Sequence, residues 1–141
     1  MAKKTEKTKT KKKDAQPGRT LVTLLLDRSG SMQTLKSDTI GAINAYREEL
    51  RKSGSEIRYS QVHFDSDFSR QLDLEKVHVA VPVGELGDMT EDDYHPRGGT
   101  PLIDAACTTI RAVAASLEEA GKAEGTRVVI AIQTDGDENT S

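Results

Sequence analysis

The chain of 141 residues contains no tryptophan, only 4% aromatic residues and a single cysteine, Cys107. One cysteine excludes an intrachain disulfide, which fits a protein of a reducing compartment. No apolar run approaches the roughly 20 residues that span a bilayer, so we expect no membrane segment. The charged N-terminus has no apolar stretch behind it, which argues against a secretory signal. These absences together predict a cytoplasmic protein.

The net charge is small, but the charged residues are unevenly distributed along the chain. The formal net charge is −3, yet residues 1–13 hold seven lysines and one glutamate, a net of +6, which leaves −9 on the other 128 residues. Such a lysine-rich stretch cannot bury a core, so we predict a disordered tail over 1–18 and one domain over 19–141. The tail either tethers the protein to nucleic acid or to an anionic surface, or it is a solvated segment with no partner. The acidic domain behind it opposes tight binding to polyanions, so we expect no nucleic-acid partner except through the tail.

The apolar pattern predicts an α/β fold. Short apolar runs over 21–26 and 127–133 are typical of strands buried on both faces. A helical period covers 35–50 and ends near Ser53-Gly54, and strands are expected over 57–64 and 69–79. Residues 81–97 read mostly as loop. Thr100 is the predicted N-cap and Pro101 the first residue of a second helix, whose apolar stripe comprises Ile103, Ala106, Ile110, Val113 and Leu117. This order predicts a largely parallel sheet with one antiparallel strand.

Five oxygen-bearing side chains follow these elements. Asp27 comes directly after the first apolar run, with Ser29 and Ser31 behind it, and Asp135 follows the last run. Thr100 opens the second helix. Parallel strands bring such residues to the carboxyl edge of the sheet, where open α/β folds bind ligands. Two carboxylates and three hydroxyls suit a hard cation, so we predict Mg²⁺, with Mn²⁺ or Ca²⁺ possible.

The same residues resemble the metal-ion-dependent adhesion site of the von Willebrand factor A (VWA) domain family. That motif reads Asp-x-Ser-x-Ser, then a distant Thr and a distant Asp, as Asp27-Arg28-Ser29-Gly30-Ser31, Thr100 and Asp135 do here. The form of residues 27–32 is most similar to intracellular bacterial and phage members, and the resemblance covers about Thr20 to Ser141. It implies a Rossmann-like fold and a protein partner whose acidic side chain completes the metal coordination.

Members of this family continue beyond the last metal-site Asp, so the resemblance implies a partial domain, or one completed by another chain. The strand over 127–133 would then form a sheet edge with poor apolar cover, an aggregation hazard. The sequence does not identify the partner or the oligomeric state.

Other interpretations of single motifs remain. Asp27 could be the nucleophile of a Mg²⁺-dependent phosphohydrolase, but Ser29 stands where such enzymes usually carry a second Asp. No nucleophile–His pattern or phosphate loop is readable, so no enzyme is predicted. Asp135 to Asn139 resembles the start of an EF-hand loop, without the Glu that such a loop requires. Ser29 and Ser31 could be turn residues. His63, Asp65 and Asp67 alternate and could form a second metal site or a polar turn, and Cys107 is expected to be packed.

Overall fold

A computed structural model describes residues 19–53, 56–67, 69–122 and 125–136. The predicted tail over 1–18 lies outside these residues, as does the segment 137–141 that contains most of the EF-hand-like stretch. Within the described ranges, no helix is long and apolar enough to cross a membrane.

The fold is α/β around one four-stranded sheet. Its strands are β1 (Arg19–Asp27), β2 (Ile57–Ser66), β3 (Leu72–Pro82) and β4 (Thr126–Gln133). They lie in the order β3-β2-β1-β4. β1 is parallel to both β2 and β4, whereas β3 runs antiparallel to β2. The predicted class and the single antiparallel strand are therefore confirmed.

The described residues also form two α-helices, α1 (Lys36–Lys52) after β1 and α2 (Leu102–Glu119) before β4. Single short 3₁₀ helices occupy Gly30–Leu35, Val83–Glu85 and Glu91–Asp93. The predicted order of strand, helix, strand, strand, helix and strand is confirmed, and residues 81–97 are mostly irregular. Among the strands of the described residues, β4 is at the edge of the sheet.

β1 carries apolar side chains on both faces, which is why its sequence is a nearly continuous apolar run rather than an alternating one. On one face Leu24 and Leu26 pack with Met32 and Ile43, in the larger core cluster beneath α1. On the other face Leu25 packs with residues of β2 and α2, in a smaller cluster. The structure thus anchors β1 on both sides and fixes where its last residue, Asp27, lies.

Three predicted boundaries need correction. α2 begins at Leu102 with Pro101 as its N-cap, so Thr100 is not the cap and Pro101 is not helical. The third strand starts at Leu72 rather than Ser69, because Asp67 closes a turn by accepting hydrogen bonds from the backbone of Ser69 and Gln71. The polar segment after Asp27, in which Ser29 and Ser31 could have been turn residues, continues as a 3₁₀ helix from Gly30.

The predicted apolar stripe of α2 is only partly buried. Ile103 and Ile110 are 58% and 52% exposed, and the buried residues of the helix are Ala105 and Thr109. The stripe identifies an apolar face correctly, but little of the described chain covers it. Cys107 is exposed rather than packed, which corrects the expectation for that residue.

Candidate functional site

The polar residues predicted to form a site meet where β1 and β4 end. Asp27 is the last residue of β1, and Asp135 follows the end of β4 by two residues. Because β1 and β4 are adjacent and parallel, Leu26 pairs with Gln133 and both strands deliver their carboxylates to the same edge. The predicted placement at the carboxyl edge follows from this pairing.

A chain of hydrogen bonds joins the two carboxylates. The backbone N–H of Ser29 donates to Asp27 Oδ1 over 2.7 Å, and the Oγ atoms of Ser29 and Ser31 lie 3.2 Å apart. The Ser31 hydroxyl in turn donates to Asp135 Oδ2. Four of the five predicted residues are thus linked across more than a hundred positions of sequence.

Thr134 is a member of this cluster that the sequence did not single out. Its hydroxyl donates to Asp27 Oδ2 over 2.7 Å and accepts from the backbone N–H of Gly136. The signal for it was its position, since Thr134 precedes Asp135 in the polar exit of an apolar strand. Its hydroxyl therefore holds Asp27 against the end of β4.

Thr100 reaches this edge on a loop that is tied to both neighbouring strand ends. Gly98 accepts a hydrogen bond from the backbone of Gly30 over 2.9 Å, and the Gly99 N–H donates to Ser66 O over 3.3 Å. Thr100 itself is buried, with 1% of its surface exposed. The loop therefore carries Thr100 beside the segment that bears Ser29 and Ser31.

Gly98 is required in this loop by its backbone. Its φ of +70° is in the left-handed region, and a Cβ there would lie 2.3 Å from Ser66 O and 2.8 Å from Asp65 Oδ2. Only glycine fits such an approach without displacement. The close approach at Gly98 is made to the end of β2.

Asp27 is fully buried, yet the groups that donate hydrogen bonds to its carboxylate are neutral. Both carboxylate oxygens accept hydrogen bonds, from the Ser29 backbone and the Thr134 hydroxyl. Among the described residues, no Lys, Arg or His forms an ion pair with it. The adjacent Arg28 turns away, and its guanidinium pairs with Asp65, Asp73 and Glu75. Asp27 is thus a buried carboxylate with hydrogen bonds but without a cationic partner in this part of the chain.

Tyr94 is a second residue that sequence reasoning missed. Its hydroxyl donates to the backbone O of Asp27 from 67 positions away, and its ring meets His63 edge-on with centroids 5.8 Å apart. Burial raises the pKa of the Tyr94 hydroxyl, and the charges of Asp27 and then Asp135 raise it further. Tyr94 therefore remains a neutral donor. No local sequence signal marks it, because it lies in the irregular stretch of 81–97.

An ion-pair network lies beside the site. Asp65, at 2% exposure, receives Arg28 Nε at 3.1 Å and Arg97 Nε at 3.0 Å on its two oxygens. Asp73 joins it by accepting from Arg97 over 2.9 Å. These contacts connect the end of β1, the end of β2 and the loop of Thr100. The alternation of His63, Asp65 and Asp67 thus corresponds to a structural ion pair and a turn.

The oxygen atoms of the five predicted residues can be compared with the ligands that Mg²⁺ prefers. Within the described ranges, no group of three or more His, Cys, Asp and Glu side chains is placed to hold a metal ion. The cluster described above is of another kind, because it has two carboxylates and takes its remaining oxygens from hydroxyls. Such all-oxygen sets suit Mg²⁺, which keeps several waters and uses only one or two carboxylates. The residues therefore fit a hard divalent cation by their chemistry.

Comparison with protein-family models gives no match, and comparison with curated protein sequences gives none either. The resemblance to the VWA family is therefore an expectation from the motif residues alone.

Proposed function

We propose that the chain is a VWA-type, divalent-cation-dependent protein-binding domain of Rossmann-like fold. Asp27, Ser29, Ser31, Thr100 and Asp135 would form its metal-ion-dependent adhesion site. The parallel pairing of β1 with β4 and the hydrogen bonds from Asp27 to Asp135 support this assignment. The single exposed Cys107 fits a reducing compartment, so we propose the cytoplasm as its location.

The observation that carries the proposal is the environment of Asp27. Removing a carboxylate from water costs several kcal/mol of free energy unless a cation or hydrogen bonds compensate it. Neutral donors supply part of that compensation here. Asp135 brings a second carboxylate to the same hydrogen-bonded cluster, so a divalent cation would balance both charges.

A bound Mg²⁺ would supply an electrophilic centre at the sheet edge. Ser29, Ser31 and Thr100 offer hydroxyl oxygens, and Asp27 and Asp135 hold the ion directly or through water. Hydroxyls are weak neutral donors, so the ion keeps an affinity for one more anionic oxygen. We propose that an acidic side chain of a partner protein supplies it, which makes the site a recognition surface rather than a catalytic one.

Metal binding is tested by titrating Mg²⁺ and Mn²⁺ calorimetrically into the wild-type chain and into Asp27→Asn, Asp135→Asn and Asp67→Asn. Asp67 is the matched control, because it is an exposed turn carboxylate away from the cluster. We expect the first two variants to lose binding and the control to retain it. Equal loss in all three variants, or in none, contradicts the site.

The recognition step is tested with immobilised peptides that carry a central Glu or a Gln in its place. In Mg²⁺ the wild-type chain should retain the Glu peptides, and EDTA or Thr100→Ala should release them. Retention that persists in EDTA, or that does not distinguish Glu from Gln, places recognition elsewhere.

A further inference from the structure

A small cavity lies between α1 and the β2–β3 pair, apart from the polar cluster at the ends of β1 and β4. Its volume is about 130 Å³, and its walls come from α1, β2, β3 and the segment 87–93. β1 separates this part of the sheet from β4. A cavity of about 150 Å³ holds benzene, so this one has room for a ligand of similar size.

One wall of the cavity is a buried cation. Arg47 of α1 is 2% exposed, and its guanidinium donates to two neutral oxygens, Gly87 O over 2.7 Å and Gln61 Oε1 over 2.8 Å. Its Cζ lies 5.3 Å from the centre of the Tyr59 ring, which compensates part of the charge. Among the described residues, Nε has no hydrogen-bond partner and no carboxylate forms an ion pair with the guanidinium. A buried charge that has only neutral partners is costly, so an anionic group in the cavity would stabilise it.

The exposed rim of the cavity is anionic. Asp93 and Asp88 line it, and the side chain of Asp88 is 71% exposed and lies 3.6 Å from Arg51 Nη2. The hydrogen bond from the Thr90 backbone, and further the Arg47 charge, lower the pKa of Asp93, which is therefore ionised at neutral pH. The cavity thus combines a positive wall with a negative rim.

The strand pair that lines the cavity is irregular at this point. Gln61 of β2 pairs with His78 of β3, and the register shifts on both sides of this pair. Ala80 nearby has a positive φ of 50°. Such bulges re-aim a side chain and are common beside functional sites. Burial, followed by the Arg47 charge, lowers the pKa of His78, so its ring lines the cavity as a neutral hydrogen-bonding group.

The loop wall is held in place without a ligand. Asn44 of α1 donates to Met89 O over 3.0 Å and accepts from the Met89 N–H over 2.7 Å. The bond from Arg47 to Gly87 O fixes the same segment two residues earlier. A ligand would therefore meet a preformed site, which lowers the entropic cost of binding.

We propose that this cavity binds a small zwitterion with the charge pattern of an α-amino acid such as alanine. The carboxylate of the ligand faces Arg47, and its ammonium group faces Asp93 and Asp88. A simple anion fits less well because the two rim carboxylates repel it, and a simple cation leaves the charge of Arg47 unbalanced. Alanine has as many non-hydrogen atoms as benzene, so it also fits the volume. The site shares no residue with the proposed metal site and does not depend on it.

NMR titration of the full chain with alanine, acetate and ethylammonium tests the charge pattern. We expect alanine at millimolar concentrations to shift the Arg47 Nε–H signal and the amide signals of Gly87 and Met89 in a saturable way. Ethylammonium loses the contact with the buried cation and should bind about tenfold more weakly. Acetate loses only the contact with the rim and should bind about threefold more weakly. Equal affinity for alanine and acetate, or no saturable shift with any probe, as expected if only water occupies the cavity, overturns the proposal.

A rim variant tests the second half of the site and leaves the buried Arg47 intact. Asp93→Asn should abolish the preference for alanine over acetate. Asp92→Asn is the matched control, because Asp92 is an exposed neighbour in the same 3₁₀ helix but not a cavity-lining residue, and it should keep the preference. Loss of the preference in both variants, or in neither, contradicts the assignment of the ammonium group to this rim.

Discussion

At the scale of single residues, Asp27 and Asp65 are two carboxylates buried to the same degree at neighbouring strand ends. Asp65 is neutralised within the described chain, because Arg28 and Arg97 each engage one of its oxygens. Asp27 accepts hydrogen bonds but has no such cation among the residues that the structure describes. The difference assigns Asp65 to holding the loops in place and leaves Asp27 available for an external cation.

Replacing Asp65 should weaken metal binding although Asp65 is not a proposed ligand. Asp65→Asn loses the charge that holds Arg28 and Arg97, and so loosens the loop that carries Thr100. Changes that disorient metal ligands typically cost 10–100-fold in affinity, and we expect a loss of roughly tenfold. Breaking a buried ion pair should also lower the unfolding free energy by about 3 kcal/mol.

Asp73→Asn is the control for that prediction, because Asp73 contacts the same two guanidinium groups but is 46% exposed. Calorimetric titration with Mg²⁺ and urea denaturation should show little change for it. If the two variants lose affinity equally, burial of Asp65 is not what positions the loop.

His63 makes stability depend on pH. It is 2% exposed and hydrogen-bonded to Gln61 over 2.8 Å, and burial, followed by the Arg28 charge, lowers its pKa from 6.5 to about 4. Between pH 6.5 and about pH 4, His63 is therefore protonated in the unfolded chain but neutral in the folded chain. Stability should be fully present above pH 6.5 and fall by about 2 kcal/mol between pH 7 and pH 5, since each pKa unit corresponds to about 1.4 kcal/mol.

Urea denaturation at a series of pH values measures this dependence. His63→Gln should flatten the decline between pH 6.5 and 5, and His95→Gln, at an exposed position, should not. An unchanged slope in His63→Gln would assign the decline to other groups.

At the scale of elements, the sequence predicts those features of strands and helices that depend on the local pattern of apolar residues. The nearly continuous apolar run of β1 implies burial on both faces, and the structure has α1 on one face and α2 on the other. The stripe of α2 shows which face is apolar, but not whether anything covers it, so the exposure of Ile103 and Ile110 could not be foreseen. The role of Tyr94 could not be predicted from the sequence either, because its contact with Asp27 depends on tertiary packing across 67 positions.

The loop before α2 depends on one glycine. Gly98→Ala should destabilise the protein by about 1–2 kcal/mol from the left-handed backbone alone, and by more because its Cβ would overlap Ser66 O. The displaced loop should also weaken Mg²⁺ binding through Thr100. Gly87→Ala is the control, since nothing lies within 4 Å of a Cβ there. Urea melts and Mg²⁺ titrations in which both variants behave alike would contradict this role for Gly98.

At the scale of the whole molecule, the sheet has one protected edge and one apolar edge, and the candidate metal site lies beside the apolar one. One groove lies between β4 and α1 and another between β4 and α2, and both are open to solvent. We therefore expect the isolated chain to be marginally stable and prone to associate through this edge.

A bound metal ion should raise the free energy of unfolding of this marginally stable chain. An ion that binds only the folded state stabilises it by about 2.7 kcal/mol at a hundredfold excess over its dissociation constant. Thermal melts with Mg²⁺ should thus exceed those with EDTA, and Asp27→Asn should abolish the difference. A sharp melt that is independent of metal would indicate a fold that is complete without the ion.

The central claim is that one divalent cation lies between Asp27 and Asp135. Anomalous diffraction from crystals grown with Mn²⁺ measures this most directly, because the signal locates the ion itself. We expect one strong peak at ligand distance from the Ser29 and Ser31 hydroxyls, adjacent to both carboxylates and Thr100. Mn²⁺ bound elsewhere on the protein, with no peak between Asp27 and Asp135, would contradict it.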